Sequence, residues 1–143
     1  QLHAAQTKPL PKAQLLIYPW IDLHLDWDSF KSLAKAPVID TESIRWFRDQ
    51  YLPNEYDLKD PCISPLYSPY LSNQPPAYIL TCGHDPLRDM GQAYAQKLKA
   101  AGVAVTEIEY PGQIHGFLQF ARVIPEAETA LEKIVIWLQH TLL

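Results

Sequence analysis

The chain has 143 residues, 48% of them hydrophobic and 20% charged, with 12 Lys and Arg against 16 Asp and Glu. This composition is typical of one globular domain or part of one, and a net charge of −4 with scattered basic residues argues against a nucleic-acid partner. The longest apolar runs, residues 15–18 and 134–138, are far shorter than the ~20 residues of a spanning helix, so we expect no membrane-spanning segment. The two cysteines, Cys62 and Cys82, form no metal-binding pattern and do not indicate whether the protein is in an oxidising or a reducing compartment. We expect a cytoplasmic location.

Three short runs predict β-strands, at residues 13–18, 77–82 and 103–110. The first two are almost continuously apolar, which is typical of central strands covered on both faces. The third alternates between apolar and polar residues, as a strand with one wetter face does.

Two amphipathic helices are predicted between and after the last two strands. Apolar residues recur at helical spacing over residues 87–101, where Gly102 stands at the expected C-cap, and over residues 125–140, which Pro125 opens. The resulting order of strand, helix, strand and helix predicts parallel strands joined by right-handed crossover helices, and hence an α/β fold.

The interval at residues 22–76 is too long for an unstructured loop inside a compact domain, and we interpret it as a covering excursion above the sheet. It contains one predicted helix, residues 41–51, capped by Asp40 or Thr41. The apolar residues of this helix recur on one face, at Ile44, Phe47 and Tyr51.

Two polar residues follow predicted strands at the sheet edge where the ligands of parallel sheets gather. Asp85 comes after the strand at 77–82, and His115 comes after the strand at 103–110. A carboxylate that accepts a hydrogen bond from one imidazole nitrogen leaves the other nitrogen as a general base. The two residues are therefore candidates for the acid and base of a catalytic triad.

Plainer interpretations compete with this one. Asp85 before Pro86 is a good N-cap for the following helix, and for that residue taken alone capping is favoured over catalysis. We expect both roles to coexist only if the carboxylate turns away from the helix amides. His115, which follows Pro111 and Gly112, is on its spacing alone as readily a turn histidine.

Four motifs surround and precede these residues: D-P-L-R-D at 85–89, H-G-F at 115–117, I-Y-P-W-I-D at 17–22 and I-S-P-L at 63–66. Together they resemble the hormone-sensitive-lipase-like esterases of the α/β-hydrolase fold, over nearly the whole chain. The resemblance implies that Asp85 and His115 are the acid and base of a Ser-Asp-His triad, which hydrolyses uncharged, fairly apolar small-molecule esters through an acyl-enzyme. It implies no cofactor.

The family's nucleophile is a Ser in a G-x-S-x-G elbow, and its oxyanion hole uses an H-G-G-G-type loop, but neither motif occurs in these 143 residues. Residues 1–8 resemble the tail of the helix that follows the elbow. We therefore expect residues 1–143 to be the C-terminal half of a single α/β-hydrolase domain, with the nucleophile-bearing N-terminal half absent. The serines of the chain lie in predicted helices or proline-rich loops, without an elbow or flanking glycines: Ser29, Ser32, Ser43, Ser64, Ser68 and Ser72.

This chain alone is expected to have no esterase activity, because it lacks both the nucleophile and the oxyanion donors. Among enzymes, a prolyl-oligopeptidase-type serine peptidase is the nearest alternative, and the D-P-L-R-D and S-P-L motifs favour the esterase. From another class, a non-catalytic binding protein on the same scaffold and a remnant without activity are further alternatives. The presence of both Asp85 and His115 argues against the binding protein.

Three aromatic residues are candidate substrate contacts. Trp46, Phe47 and Phe117 are of types more often found in a core, but the resemblance implies that they line the acyl or alcohol pocket. We expect no metal site, since the acidic residues and histidines near Asp85 form no recognised ligand pattern. The predicted strand at 13–18 lacks a neighbour on its outer side, so we expect self-association or pairing with the missing N-terminal half.

Overall fold

A computed structural model describes residues 11–52 and 56–143 of the chain. Three strands form one parallel sheet in the order β1-β2-β3. These strands are β1 (Gln14–Ile17), β2 (Ala77–His84) and β3 (Val105–Ile114). In the described residues the α-helices are α1 (Asp28–Ser32), α2 (Thr41–Tyr51), α3 (Arg88–Ala100) and α4 (Pro125–Leu142).

The predicted α/β class, with parallel strands and crossover helices, is confirmed. The excursion at residues 22–76 contains α1, α2 and the short 3-10 helices Pro65–Tyr67 and Leu71–Asn73, and its described residues hold no strand. A third 3-10 helix, Phe117–Phe120, follows β3. The helix tail expected at residues 1–8 lies outside the described residues.

β2 is the central strand of the sheet, because it pairs with both β1 and β3. α3 packs on one of its faces and α4 packs on the other. On the α3 side, Ile79 and Leu98 are fully buried, and on the α4 side, Leu80 and Ala130 are fully buried. Full burial of a side chain such as Ile or Leu stabilises a fold by about 1.5–3 kcal/mol. The nearly continuous apolar run of β2 therefore has the double coverage that its sequence predicts.

β1 departs from the same expectation. Leu15 is 37% exposed, and within the described chain β1 pairs with β2 along one edge only. The two helices α3 and α4 pack on the faces of β2, and they leave part of β1 uncovered. An apolar run predicts burial, but burial of this strand requires a further layer or a further strand.

α2 has the predicted bounds, and it begins where the Asp40 carboxylate accepts a hydrogen bond from the Ser43 backbone N–H at 2.7 Å. The apolar face of α2 is buried at its first residues and exposed at its last ones. Ile44 is fully buried, whereas Phe47 is 49% exposed and Tyr51 is 69% exposed. Because only one end of this face packs on the body of the protein, the regular apolar spacing does not mark a core stripe throughout.

The last residues of β2 and β3 are out of regular register. Cys82 is opposite Tyr110, but His84 is opposite Ile114, so two residues of β2 match four residues of β3. β3 consequently extends four residues past its predicted end. Irregularities of this kind redirect the side chains that follow them.

The irregular stretch contains a very close contact between the two backbones. A Cβ atom placed on Gly83 would lie 2.0 Å from the carbonyl oxygen of Pro111. Only glycine fits at this position, because the neighbouring atom belongs to the backbone and cannot rotate away. The contact lies two residues before Asp85 and four residues before His115, so it holds together the two chain segments that carry these side chains.

Replacing Gly83 with alanine is expected to destabilise the protein strongly. The added methyl group would overlap the Pro111 carbonyl and force β2 and β3 apart. We expect the free energy of unfolding, measured by urea denaturation, to fall by on the order of 3 kcal/mol.

Gly112→Ala is the matched control for this substitution. Gly112 is the residue after Pro111, yet an added Cβ there would meet no atom within 4 Å. Its unfolding free energy should change by less than about 0.5 kcal/mol. Equal losses for the two variants would contradict the steric explanation.

The buried thiol of Cys82 predicts a loss of stability at alkaline pH. Burial first, and then the charges of Asp85 and Glu109, raise the pKa of the Cys82 thiol from its ordinary value of 9.0 to about 12. Between pH 9 and pH 12 the thiol is ionised in the unfolded chain but keeps its proton in the folded chain, so a rise in pH favours unfolding. The contribution of the buried thiol to stability is therefore complete below pH 9 and is lost as the pH rises towards 12. We expect the wild type to lose on the order of 1–2 kcal/mol more than Cys82→Ala between pH 8 and pH 10.5 in urea denaturation. The same pH dependence in both proteins would refute this assignment.

Candidate active site

Asp85 and His115 contact each other at the carboxyl edge of the sheet. Each residue directly follows a strand, β2 for Asp85 and β3 for His115. The Oδ2 atom of Asp85 lies 2.8 Å from Nδ1 of His115. Asp85 is 1% exposed, whereas the His115 side chain is 22% exposed. Because an ionised carboxylate only accepts hydrogen bonds, Nδ1 is the protonated nitrogen, and Nε2 is free to accept a proton.

The Asp85 carboxylate also holds the turn that leads into the following helix. Its Oδ1 atom accepts a hydrogen bond from the Leu87 backbone N–H at 2.9 Å, while the Asp85 carbonyl accepts one from the Arg88 N–H at 3.0 Å. The predicted N-cap role of Asp85 is wrong, because α3 begins at Arg88 with Leu87 at its N-cap position and no side-chain cap bond. The carboxylate instead holds the turn before the helix and contacts His115 as well, because each of its oxygens has a different partner.

The rest of the D-P-L-R-D motif ties this loop to the excursion. Arg88 pairs with Asp89 at 2.9 Å and donates to the Gly83 carbonyl at 3.2 Å. Asp89 accepts from the Ser29 backbone N–H at 2.8 Å, and the Ser29 hydroxyl donates to the Pro86 carbonyl at 2.6 Å. Ser29 is fully buried, so its hydroxyl positions the acid-bearing loop and is not an exposed nucleophile.

The loop that carries His115 is held by Tyr18, which directly follows β1. The Leu118 backbone N–H donates to the Tyr18 hydroxyl oxygen at 3.0 Å, and the centres of the Tyr18 and His115 rings are 5.0 Å apart. Gly116, which directly follows His115, has a φ of +79°, and this backbone conformation lets the loop turn. Burial raises the pKa of the Tyr18 hydroxyl to about 12, which exceeds the lowering effect of the bond from Leu118, so this hydroxyl is neutral at ordinary pH.

Sequence reasoning did not identify Tyr18 or Ser29 as functional residues. The position of Tyr18 at the carboxyl end of a predicted strand was the available signal, because Asp85 and His115 follow strands at the same edge. No comparable signal existed for Ser29, since its two partners lie 57 and 60 positions away in the chain.

A cavity of about 550 Å³ opens beside His115. Its lining comes from the segment after β1, the excursion, the acid-bearing loop and the loop after β3, and most of the side chains are apolar: Tyr18, Trp20, Leu23, Ile39, Phe47, Tyr51, Ile63, Leu87 and His115. Its size and lining are those of a small-molecule site.

The three aromatic candidates occupy different places. Phe47 lines the cavity beside His115. Trp46 is 58% exposed and lines a separate surface depression with Asp40 and other polar residues. Phe117 is fully buried, with its ring 6.0 Å from that of Tyr18, so it supports the cavity wall from behind and does not line it.

A second Asp–His contact lies in the excursion. Asp22 is 1% exposed, and its Oδ1 accepts a hydrogen bond from Nδ1 of His24 at 2.9 Å. Its Oδ2 accepts from the indole of Trp27 at 3.0 Å and from the hydroxyl of Tyr67 at 3.3 Å. These bonds tie three parts of the excursion together, and His24 does not line the cavity beside His115.

Within residues 11–52 and 56–143, no group of three or more His, Cys, Asp or Glu side chains could hold a metal ion. In the same residues, no helix is long and apolar enough to cross a bilayer.

Sequence comparison places these observations among known proteins. A family model for the alpha/beta hydrolase fold matches residues 1–119. Ethyl acetate hydrolase of Pseudomonas putida is 36% identical over 142 residues, which are 99% of this chain and 45% of that protein. Carboxylesterase NlhH of Mycobacterium tuberculosis is 41% identical over 121 residues, which are 82% of this chain and 38% of that protein.

Solved structures agree with the sequence matches. A variant of LAE6, an alpha/beta hydrolase enzyme from the metagenome of Lake Arreo, Spain, superposes with a TM-score of 0.86 at 37% identity, over 91% of this chain and 41% of that one. A hyperthermophilic esterase from the archaeon Pyrobaculum calidifontis superposes with a TM-score of 0.87 at 33% identity, over 93% of this chain and 44% of that one.

The chain thus spans less than half the length of each of these relatives. The resemblance to hormone-sensitive-lipase-like esterases agrees with the family model and with the relatives' names. The match over residues 1–119, together with the parallel sheet and its crossover helices, means that the chain belongs to the α/β-hydrolase family.

Proposed function

We propose that this chain supplies the acid and base of a serine carboxylic-ester hydrolase, and that the nucleophilic serine comes from a segment that precedes it. The observation that carries the proposal is the 2.8 Å contact between buried Asp85 and half-buried His115 beside an apolar cavity. Relatives that carry the names of ester hydrolases, over almost all of this chain, support the reaction class.

In this mechanism the Nε2 atom of His115 takes the proton of the serine hydroxyl as its oxygen attacks the ester carbonyl carbon. The resulting imidazolium is stabilised by the Asp85 carboxylate on Nδ1. His115 then gives the proton to the oxygen of the leaving alcohol, and an acyl-enzyme remains. His115 then takes a proton from a water molecule as its oxygen attacks the acyl carbon, and returns the proton to the serine oxygen as the acyl–serine bond breaks and the carboxylic acid is released.

The cavity favours an uncharged and fairly apolar ester. Among the described residues that line it, none is Lys or Arg, so a substrate carboxylate or phosphate would find no cationic partner. Phe47 and Tyr51 of α2 and Leu23 present apolar surface to the acyl or alcohol group. Peptides with charged neighbours suit this lining less well, which supports an esterase over a serine peptidase.

The open edge of β1 is the proposed junction with the nucleophile-bearing segment. β1 pairs with β2 on one side only within the described chain, and Leu15 is more than one-third exposed. A further parallel strand on the open side would satisfy the unpaired backbone groups and cover this surface. In its absence, the same edge favours association between copies of the chain.

The 143-residue chain by itself is expected to show no esterase activity. Without a serine elbow and oxyanion donors, an Asp–His pair provides neither covalent catalysis nor stabilisation of the developing charge. Hydrolysis of p-nitrophenyl acetate by the purified chain should equal that of its own His115→Ala variant. Turnover that His115→Ala abolishes would contradict the assignment of the nucleophile to a preceding segment.

In the protein that joins this chain to a serine-bearing segment, Asp85→Asn is expected to lower kcat by about 10⁴-fold with little change in KM. Asparagine keeps the shape of the side chain but cannot stabilise the imidazolium. His115→Ala should lower kcat at least as much, because it removes the base itself. Steady-state kinetics on an aryl ester measure both values.

His84→Ala provides a matched control for these two substitutions. This histidine is adjacent to Asp85, is exposed, and does not line the cavity. Its kcat should stay within about twofold of the wild-type value. The triad assignment fails if Asp85→Asn retains more than a tenth of the wild-type kcat.

A further inference from the structure

Tyr18 has a backbone conformation that is uncommon for its residue type. Its φ is +47°, in the left-handed region that favours glycine. Its backbone N–H nevertheless donates to the Leu80 carbonyl at 2.9 Å, so the residue is still attached to the sheet. Strained conformations at the edge of a site persist when the surrounding contacts require them, and they are often linked to function.

The strained turn brings the Tyr18 side chain against the loop that follows β3. Its ring lies 5.0 Å from the His115 ring, measured between centres, at an interplanar angle of 53°. Its hydroxyl accepts a hydrogen bond from the Leu118 backbone N–H, three residues after His115, at 3.0 Å. Tyr18 therefore contacts the imidazole and also fixes the backbone of the loop that carries it.

These contacts supply a restraint that Asp85 does not provide. A single hydrogen bond at Nδ1 fixes the distance between Asp85 and His115, but it lets the imidazole rotate about the line that joins the two side chains. The Tyr18 ring packs beside the imidazole and blocks that rotation. The Nε2 atom then keeps one direction, which proton transfer requires.

The neutral state of the Tyr18 hydroxyl suits this role. Burial raises the pKa of Tyr18 to about 12, with smaller raising effects of the nearby Cys82 thiol and Asp85 carboxylate and against the lowering effect of the bond from Leu118. Tyr18 therefore places no charge beside His115 at the pH at which esters are hydrolysed. Its effect on His115 is one of packing and loop geometry.

We propose that Tyr18 is a positioning residue for His115, whose ring orients the imidazole and whose hydroxyl holds the 115–118 loop. This proposal rests on the proposed function, in which His115 is the general base. The Tyr18 hydroxyl bonds the loop and not the reacting atoms, so its removal should lower kcat rather than raise KM.

The test compares Tyr18→Phe with Tyr18→Leu in the protein that carries the serine-bearing segment. Tyr18→Phe keeps the ring and loses the bond from Leu118, and it should lower kcat about 5- to 20-fold. Tyr18→Leu loses both contacts and should lower kcat about 100-fold, the size of effect that small misplacement of a catalytic group produces. KM for an aryl ester should stay within about twofold for Tyr18→Phe, which keeps the ring that lines the cavity, whereas Tyr18→Leu also alters the cavity wall and is read on kcat alone.

Two readouts separate positioning from a general loss of structure. Titration of active sites with a phosphonate that reacts with the serine gives kcat per folded site, which a merely destabilising substitution would not change. Amide hydrogen exchange at Leu118 should accelerate in Tyr18→Phe, because that N–H loses its acceptor. The exchange measurement requires no activity, so it also reports on a variant that hydrolyses esters too slowly to assay.

Tyr67→Phe is the matched control. Its hydroxyl contacts the other Asp–His pair, lying 3.3 Å from both Asp22 and His24, and Tyr67 does not line the cavity beside His115. Its kcat per active site should stay within about twofold of the wild-type value. If Tyr67→Phe lowers kcat as much as Tyr18→Phe does, the effect is general and the proposal is overturned.

The outcomes distinguish the positioning role of Tyr18 from the proposed function. Values of kcat per site within twofold of wild type for both Tyr18 variants would overturn the positioning role, whereas a low kcat in Asp85→Asn and His115→Ala would leave the triad intact. Unchanged kcat in Asp85→Asn and His115→Ala would instead overturn the proposed function, and the positioning role with it.

Discussion

The close backbone contact between Gly83 and Pro111 is the constraint on which the geometry of the site depends. Neighbouring parallel strands lie roughly 4.8 Å apart, so side chains that follow them at one edge are near each other in any α/β sheet. A contact of 2.8 Å between Asp85 and His115 demands more than this proximity. It is reached because β3 has two more residues than β2 over the last stretch of their pairing, and because a glycine leaves room for the displaced strand.

The two Asp–His pairs within residues 11–52 and 56–143 show that the contact alone does not identify a catalytic pair. Asp22 and Asp85 are both almost fully buried, and each accepts a hydrogen bond from Nδ1 of a partly exposed histidine at nearly the same distance. A buried carboxylate needs several donors, and both satisfy this need with backbone or side-chain N–H groups. The surroundings of the histidines differ, because His115 opens onto an apolar cavity and His24 does not. A catalytic pair therefore needs the cavity as well as the contact.

The excursion joins the acid-bearing loop to the wall of the cavity. The bonds between α1 and the D-P-L-R-D motif, made by Ser29 and Asp89, attach it at one end. Ile44 anchors α2 to the core, and the outer end of the same helix face contributes Phe47 and Tyr51 to the cavity. An amphipathic helix that is only partly packed thus supplies apolar surface where a small molecule can use it.

The sequence by itself determined the α/β class, the bounds of α2 and the coverage of β2 on both faces, because these follow from local spacing of apolar residues and from a single cap. Motifs in the sequence also identified Asp85 and His115 as candidates. Only the tertiary structure decided that the Asp85 carboxylate holds the turn before α3 and contacts His115 as well, and that Phe47 rather than Phe117 lines the cavity. It also revealed Tyr18, whose hydroxyl meets a backbone N–H 100 positions away. The physical reason is the same in each case, since these features depend on contacts between distant segments, and no local pattern of residues specifies which segments will meet.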